Sequence, residues 1–166
     1  MYTFYLLFVW LHLVAAAVWI GGMVFLALVV VPIIRRPEHQ RIAVTLISQT
    51  GRRLRWVGWG CLIVLLLSGT VNLAYRGFGW ADVWNGHLFT GTFGHTLAIK
   101  LLCFVLILLL SAVHDFAVGP RATAVGQAAP GSPEAIRLRR RASWLGRVNL
   151  LLALAVVALG VALVRG

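Results

Sequence analysis

The stretch FGHTLAIKLLCFVLILLLSAVHD, residues 93–115, is apolar along most of its length and contains the only lysine of the chain, Lys100. A helix rises about 1.5 Å per residue, so about 20 apolar residues cross the roughly 30 Å of hydrocarbon in a bilayer. A helix also satisfies its own backbone hydrogen bonds in lipid. The stretch therefore predicts a transmembrane helix, and its lysine needs an explanation, because a charge inside a span is costly.

Composition extends this prediction to the whole chain. Hydrophobic residues make up 61% of the sequence and charged residues only 11%, which is typical of an integral membrane protein. Residues 1–166 are predicted to form a single all-α domain, a four-helix transmembrane bundle. The predicted spans are residues 4–31, 54–75, 96–118 and 143–163.

The arginines of the chain predict its orientation. They cluster in the first and third connections, whereas the second connection, RGFGWADVWNGHLFTGTFGH, has one arginine and one aspartate. By the positive-inside rule the first and third connections are cytoplasmic and both termini lie outside, as in a multi-pass protein of the bacterial inner (plasma) membrane. The basic clusters behind the net charge of +11 are then expected to set the orientation of the chain in the membrane and to contact anionic lipid headgroups. Nucleic acid is not expected as a partner. The clustered arginines are Arg35, Arg36, Arg41, Arg52, Arg53 and Arg55 in the first connection, and Arg121, Arg137, Arg139, Arg140, Arg141 and Arg147 in or beside the third.

The two basic connections differ in pattern. Residues 37–53 place Ile42, Leu46 and Ile47 at helical spacing among polar residues, which predicts a short amphipathic helix at the cytoplasmic interface. Residues 119–135, GPRATAVGQAAPGSPEA, are rich in Gly, Pro and Ala and predict a flexible linker.

Polar residues inside the spans are the candidates for function. His12, Trp19 and Gly22 share one face of the first helix, and Asn72 lies near the outer end of the second. Counted by helical rise, His12, Asn72 and Lys100 reach similar depths in the outer half of the bundle. They can form a site there, or they can simply be hydrogen-bonded helix packing, and Lys100 can reach the interface with its long stem.

Ser68, one turn before Asn72, lies with it near the outer end of the second helix. Two further polar residues lie elsewhere. His114 is about 15 Å further in than His12, so the two histidines cannot bind the same metal atom. His114 and Asp115 are expected to form an interfacial ion pair or hydrogen bond at the cytoplasmic edge.

The run LHLVAAAVWIGGMVFLALVVVP resembles the opening helix of CopD-like copper-resistance membrane proteins and of the related HemJ-type protoporphyrinogen oxidases. IKLLCFVLILLLSAVHDFAVGPRA and the closing LGRVNLLLALAVVALGVALVRG follow in the same order, so the resemblance covers nearly the whole chain. In HemJ-type proteins a first-helix histidine and a third-helix lysine are the functional pair, and haem b is bound. The resemblance places His12 and Lys100 at those positions. The chain departs from that family where ALVVVP and LGRVNLLL replace its polar motifs, and its closing helix is closer to CopD, which implies copper handling.

The resemblance and the residues together give three hypotheses. Soft ligands for copper(I) are scarce, namely Met1, Met23, Cys61 and Cys103. Haem b for electron transfer or haem handling is therefore favoured, with His12 as the metal ligand and Lys100, Trp19, Gly22 and Asn72 around it. Copper transport or resistance is the first alternative. The second is a cofactor-free accessory subunit of a larger membrane complex, with or without a redox partner. Motifs for hydrolysis or phosphoryl transfer are missing, and any enzyme here would be a haem-dependent oxidoreductase.

Overall fold

The computed structural model describes residues 2–34 and 36–165, and these residues form helices and short connections with no strand among them. Arg35, which belongs to the predicted cytoplasmic cluster, lies outside the described residues. In chain order the elements are α1 (Tyr2–Phe25), a π-helical segment (Leu26–Val30), α2 (Val31–Ile34), a 3-10 turn (Pro37–His39), α3 (Gln40–Tyr75), α4 (Trp80–Trp84), a 3-10 turn (His87–Phe89), α5 (Gly91–Ala112), a π-helical segment (Val113–Val118), α6 (Gly119–Ala128) and α7 (Pro133–Arg165).

The prediction of an all-α protein with four membrane-spanning helices is confirmed. The helical stretches long and apolar enough to cross a membrane are Tyr2–Ile34, Thr45–Tyr75, Gly91–Ala128 and Pro133–Val164. They extend beyond the predicted spans because a helix keeps its backbone hydrogen bonds after its side chains turn polar. The orientation of the bundle and the location of its termini stay predictions.

The short interfacial helix predicted over residues 37–53 is wrong as a separate element. Only Pro37–His39 form a distinct turn, and from Gln40 a single α-helix continues to Tyr75. Nothing in this segment stops a helix, because its one glycine, Gly51, costs only about 1 kcal/mol and no proline follows residue 37. The amphipathic segment is therefore an extension of the second span.

The flexible linker predicted over residues 119–135 is wrong for most of its length, because only residues 129–132 lie between helices and α7 already begins at Pro133. Residues Gly119–Ala128 form α6, which has a proline at the start of the helix. Proline is tolerated there because the first backbone N–H groups have no partner within the helix. The alanines of this segment are the strongest helix formers, and they outweigh its glycines. The chain turns only at Gly131, whose φ of +83° suits glycine.

The four spans pack as two helix pairs around a common core. α1 lies mainly along α3 and α5 mainly along α7, and α1 also contacts α7. The buried core combines residues from all four spans: Ala15, Trp19, Leu62, Leu65, Ile107 and Ala153. A smaller cluster of Leu88, Leu97 and Leu163 closes the end predicted to face outside. Small side chains such as Ala153 allow close helix contact, which lipid itself does not drive.

Candidate functional site

His12 of α1 faces α3 and is held there by a hydrogen bond. Its Nδ1 lies 2.8 Å from Oγ of Ser68, whose side chain is almost fully buried. The Ser68 hydroxyl also lies 2.6 Å from the carbonyl oxygen of Val64. A carbonyl oxygen only accepts, so the single hydroxyl hydrogen of Ser68 is donated to Val64.

This arrangement fixes the tautomer of the imidazole. Because the hydroxyl hydrogen of Ser68 is already used, Ser68 Oγ accepts from His12, and the ring proton sits on Nδ1. The neutral ring therefore has its lone pair on Nε2. A hydrogen bond that fixes one ring nitrogen while the other is free to bind is the usual support of a metal-ligating histidine.

Gly69 lies beside the ring. A Cβ atom at Gly69 would lie 3.5 Å from Cε1 of His12. This is an ordinary van der Waals distance, so the ring packs directly against α3 at this position. The α3 sequence Ser68-Gly69 thus supplies both a hydrogen-bond partner and a packing contact for His12.

Lys100 of α5 lies in the same part of the bundle. Its Nζ is 3.5 Å from the position of a Cβ atom on Gly160 of α7, and the side chain is half-buried. Lys100 is close enough to His12, and Arg76 close enough to Lys100, for their charges to interact. The ion pairs found in residues 2–34 and 36–165 do not include Lys100.

Asn72 completes the group predicted from the sequence. It follows Ser68 by about one helical turn on α3. Its Oδ1 atom is buried, and within the described part of the chain it finds no hydrogen-bond partner. A buried carbonyl oxygen without a donor is costly. The structure thus brings His12, Asn72 and Lys100 into one region, with one open acceptor.

Trp19 and Gly22, by contrast, pack against α3 further along the bundle. The indole of Trp19 is buried against Gly58, at 3.5 Å from the Cβ that an alanine would have there. A Cβ on Gly22 would lie only 2.7 Å from Cδ1 of Leu54. These contacts fill the space between the first and second spans, so a flat ligand can enter there only if Leu54 moves.

The structure also shows polar contacts that sequence reasoning missed. Asn149 of α7 is buried and donates from Nδ2 to Oγ of Ser111 at 3.0 Å. The sequence did contain a signal for this contact, since an asparagine in an apolar helix needs an internal partner.

A second polar contact lies at the other end of the bundle. Trp59 Nε1 donates to Oδ2 of Asp115 at 3.0 Å, and His114 Nδ1 lies 2.9 Å from Oδ1 of the same carboxylate. His114 and Asp115 therefore interact as expected.

Potential metal ligands are dispersed along the bundle. Within the two described ranges, no three His, Cys, Asp or Glu side chains come together in a way that could hold a metal ion. Met23 and Cys61 are half-buried against the central core, and Cys103 is a half-buried free thiol.

Four apolar helices with a histidine, a lysine and two asparagines in their interior define a multi-pass membrane protein with a polar site inside its bundle. Residues 48–163 match the family described as copper resistance protein D. A protein of Aquifex aeolicus (strain VF5), described as uncharacterized, is 32% identical over 157 residues, which cover 93% of this chain and 92% of that protein. The chain belongs to the CopD family.

The two matches differ in which of the candidate site residues they cover. The family match includes Asn72 and Lys100 but begins after His12, whereas the Aquifex relative covers almost the full length. No solved structure matches the chain. The relation to HemJ-type oxidases stays a prediction.

Proposed function

We propose that this protein moves or sequesters copper ions at the membrane, with His12 as the copper ligand in the outer half of the bundle. Copper is the cargo in this proposal. The observation that carries it is the hydrogen bond from His12 to Ser68, which leaves Nε2 as the lone-pair nitrogen. The membership of the chain in a copper-resistance family supports copper as the ion.

The surrounding donors favour a weak, transient site. Imidazole nitrogen and amide oxygen, as His12 and Asn72 provide, suit copper(II) better than copper(I), which prefers thiolate and thioether. A passage site must hold its ion weakly enough to release it. The positive charge of Lys100, which acts on His12, lowers the affinity of the site for a cation and so favours release.

Access follows from the predicted orientation. If both termini are outside, His12 lies about 15 Å from the start of α1, at about 1.5 Å per residue, and therefore in the outer half of the bundle. Copper would then reach His12 from the outer side of a bacterial plasma membrane. The arginine distribution supports this orientation.

Haem b at the same histidine is the rival hypothesis. The half-buried Lys100 favours it, because a lysine near a haem can pair with a propionate. The packing of Leu54 on Gly22 and of Trp19 on Gly58 counts against it, since α1 and α3 are in direct contact at these two points. No step of the present proposal requires haem.

The proposal is tested by copper uptake into proteoliposomes that contain the purified protein. His12→Ala should reduce uptake to the level of empty vesicles, because the substitution removes the imidazole. His95→Ala is the matched control, since His95 is an exposed histidine near the same end of the bundle, and this variant should transport normally.

Two results would contradict the proposal. Equal uptake by wild type and His12→Ala would remove His12 from the copper path. A haem Soret band in the wild-type protein that disappears in His12→Ala, without any copper uptake, would assign the histidine to haem instead. Size-exclusion profiles of the variants check that a loss does not come from unfolding.

A further inference from the structure

A basic cleft lies at the opposite end of the molecule from His12, between α6 and α7. Its volume is about 250 Å³, and its walls are formed by Arg121, Glu134, Arg137, Leu138 and Arg141. We call it the α6–α7 cleft. The cleft forms because residues 119–128 are helical. The sequence did not predict it, because these residues were expected to form a linker.

The charges of the cleft are unbalanced. Arg121 Nη2 donates to Oε1 of Glu134 at 3.0 Å, and this bond joins the two walls. Arg137 and Arg141 are four residues apart on α7 and therefore lie on the same face of that helix. The cleft thus contains three guanidinium groups and one carboxylate, and it carries an excess of positive charge that an anion can neutralise.

The position of the cleft relative to the membrane follows from the length of α7. α7 has 33 residues and is therefore about 50 Å long, which exceeds the roughly 30 Å of hydrocarbon. Its first residues must extend beyond the apolar layer. Trp144, which is 61% exposed, follows Arg141 by about one turn and suits the interface between lipid and water. The arginines of the cleft therefore reach the level of lipid phosphates.

We propose that the α6–α7 cleft binds the phosphate group of an anionic ligand, with Arg137 and Arg141 as its principal contacts. Guanidinium groups bind phosphate oxygens through paired, charge-assisted hydrogen bonds. Basic pockets between membrane helices bind the headgroups of anionic lipids in this manner. Leu138, which is buried at the base of the cleft, gives the site an apolar floor. The proposal does not depend on the function assigned to His12.

The test uses the full-length protein in a neutral detergent and titrates it with short-chain phosphatidylglycerol, short-chain phosphatidylcholine and inorganic phosphate. Binding is measured by ³¹P NMR. We expect saturable binding of phosphatidylglycerol and none of phosphatidylcholine. Arg137→Gln combined with Arg141→Gln should weaken that binding by about tenfold or more. Saturable binding of inorganic phosphate with equal affinity would support the phosphate site and assign it to free phosphate; weaker binding of inorganic phosphate would assign it to a lipid headgroup.

Two matched variants separate the cleft from general surface charge. Arg139→Gln combined with Arg140→Gln removes the same charge from the same helix outside the cleft, and it should bind as the wild type does. Glu134→Gln should bind several-fold more tightly, because it frees Arg121 from its carboxylate partner. A gain in affinity cannot come from misfolding. An equal loss in both arginine double variants, an unchanged or weaker affinity in Glu134→Gln, or equal binding of both lipids would overturn the proposal.

Discussion

Replacing Ser68 by alanine should release His12 from α3, and a double-mutant cycle measures by how much. Hydrogen bonds between membrane helices contribute about 0.6 kcal/mol on average and up to about 1.7 kcal/mol. The contact is short, at 2.8 Å, and Ser68 is only 1% exposed. We therefore expect a coupling free energy of about 1 kcal/mol or slightly more between Ser68→Ala and His12→Ala.

The assay is reversible unfolding in mixed micelles of dodecyl maltoside and dodecyl sulfate, followed by circular dichroism. Free energies of unfolding are compared for the wild type, the two single variants and the double variant. Thr70→Ala is the control, because Thr70 is exposed and its Oγ1 donates to the carbonyl of Leu66 in the same helix, at 2.9 Å. It should show no coupling to His12→Ala.

A coupling within about 0.3 kcal/mol of zero would refute the reasoning, because independent sites add to within that scatter. It would mean that the hydroxyl of Ser68 serves only the backbone of α3, and that the tautomer of His12 is not set by Ser68. An equal coupling for Thr70→Ala would point to a general loosening of α3 rather than to a specific bond.

Three further predictions test the orientation, the packing and the lysine. A reporter that works only in the cytoplasm should be inactive when fused after Gly166, and an active one would reverse the assignment of sides. Gly94→Ala should lower the free energy of unfolding by about 2 kcal/mol or more, because its Cβ would clash with the backbone of Phe89 and lie 2.8 Å from the carbonyl oxygen of Leu88. Gly146→Ala should be neutral or stabilising, because its Cβ would have no neighbour within 4 Å. Equal losses of unfolding free energy in the two variants would contradict this prediction. Lys100→Met should increase the copper affinity at His12 several-fold, because it removes a nearby positive charge, and Lys100→Arg should leave the affinity near the wild-type value. Unchanged binding isotherms for both variants would show that the charge of Lys100 does not affect copper binding.

The sequence predicted those features that depend on hydrophobicity over a full span. Four apolar runs become four helices because the length of the bilayer core and the cost of open backbone groups leave few alternatives. It predicted less well where the environment changes from lipid to water. α3 runs through that boundary without a break, and the alanines of α6 override the glycine and proline count.

For the candidate site, too, some features could be predicted from the sequence and others could not. Helical spacing and rise were enough to predict that His12, Asn72 and Lys100 lie in one region. The partner of His12 required the structure, because Ser68 and Asn72 share one face of α3 and their spacing does not tell which of them lies level with His12. Trp19 and Gly22 face α3 as His12 does, as their spacing predicted, and the structure adds that Gly58 and Leu54 lie opposite them.

Electron paramagnetic resonance of copper(II) added to the purified protein with ¹⁵N-labelled histidine shows directly whether His12 binds copper. We predict hyperfine coupling to one imidazole, bound through Nε2 with the proton on Nδ1, as the bond to Ser68 requires. The coupling should vanish in His12→Ala and persist in His95→Ala. An unchanged spectrum in His12→Ala, or a wild-type spectrum without histidine nitrogen, would contradict a copper site at His12.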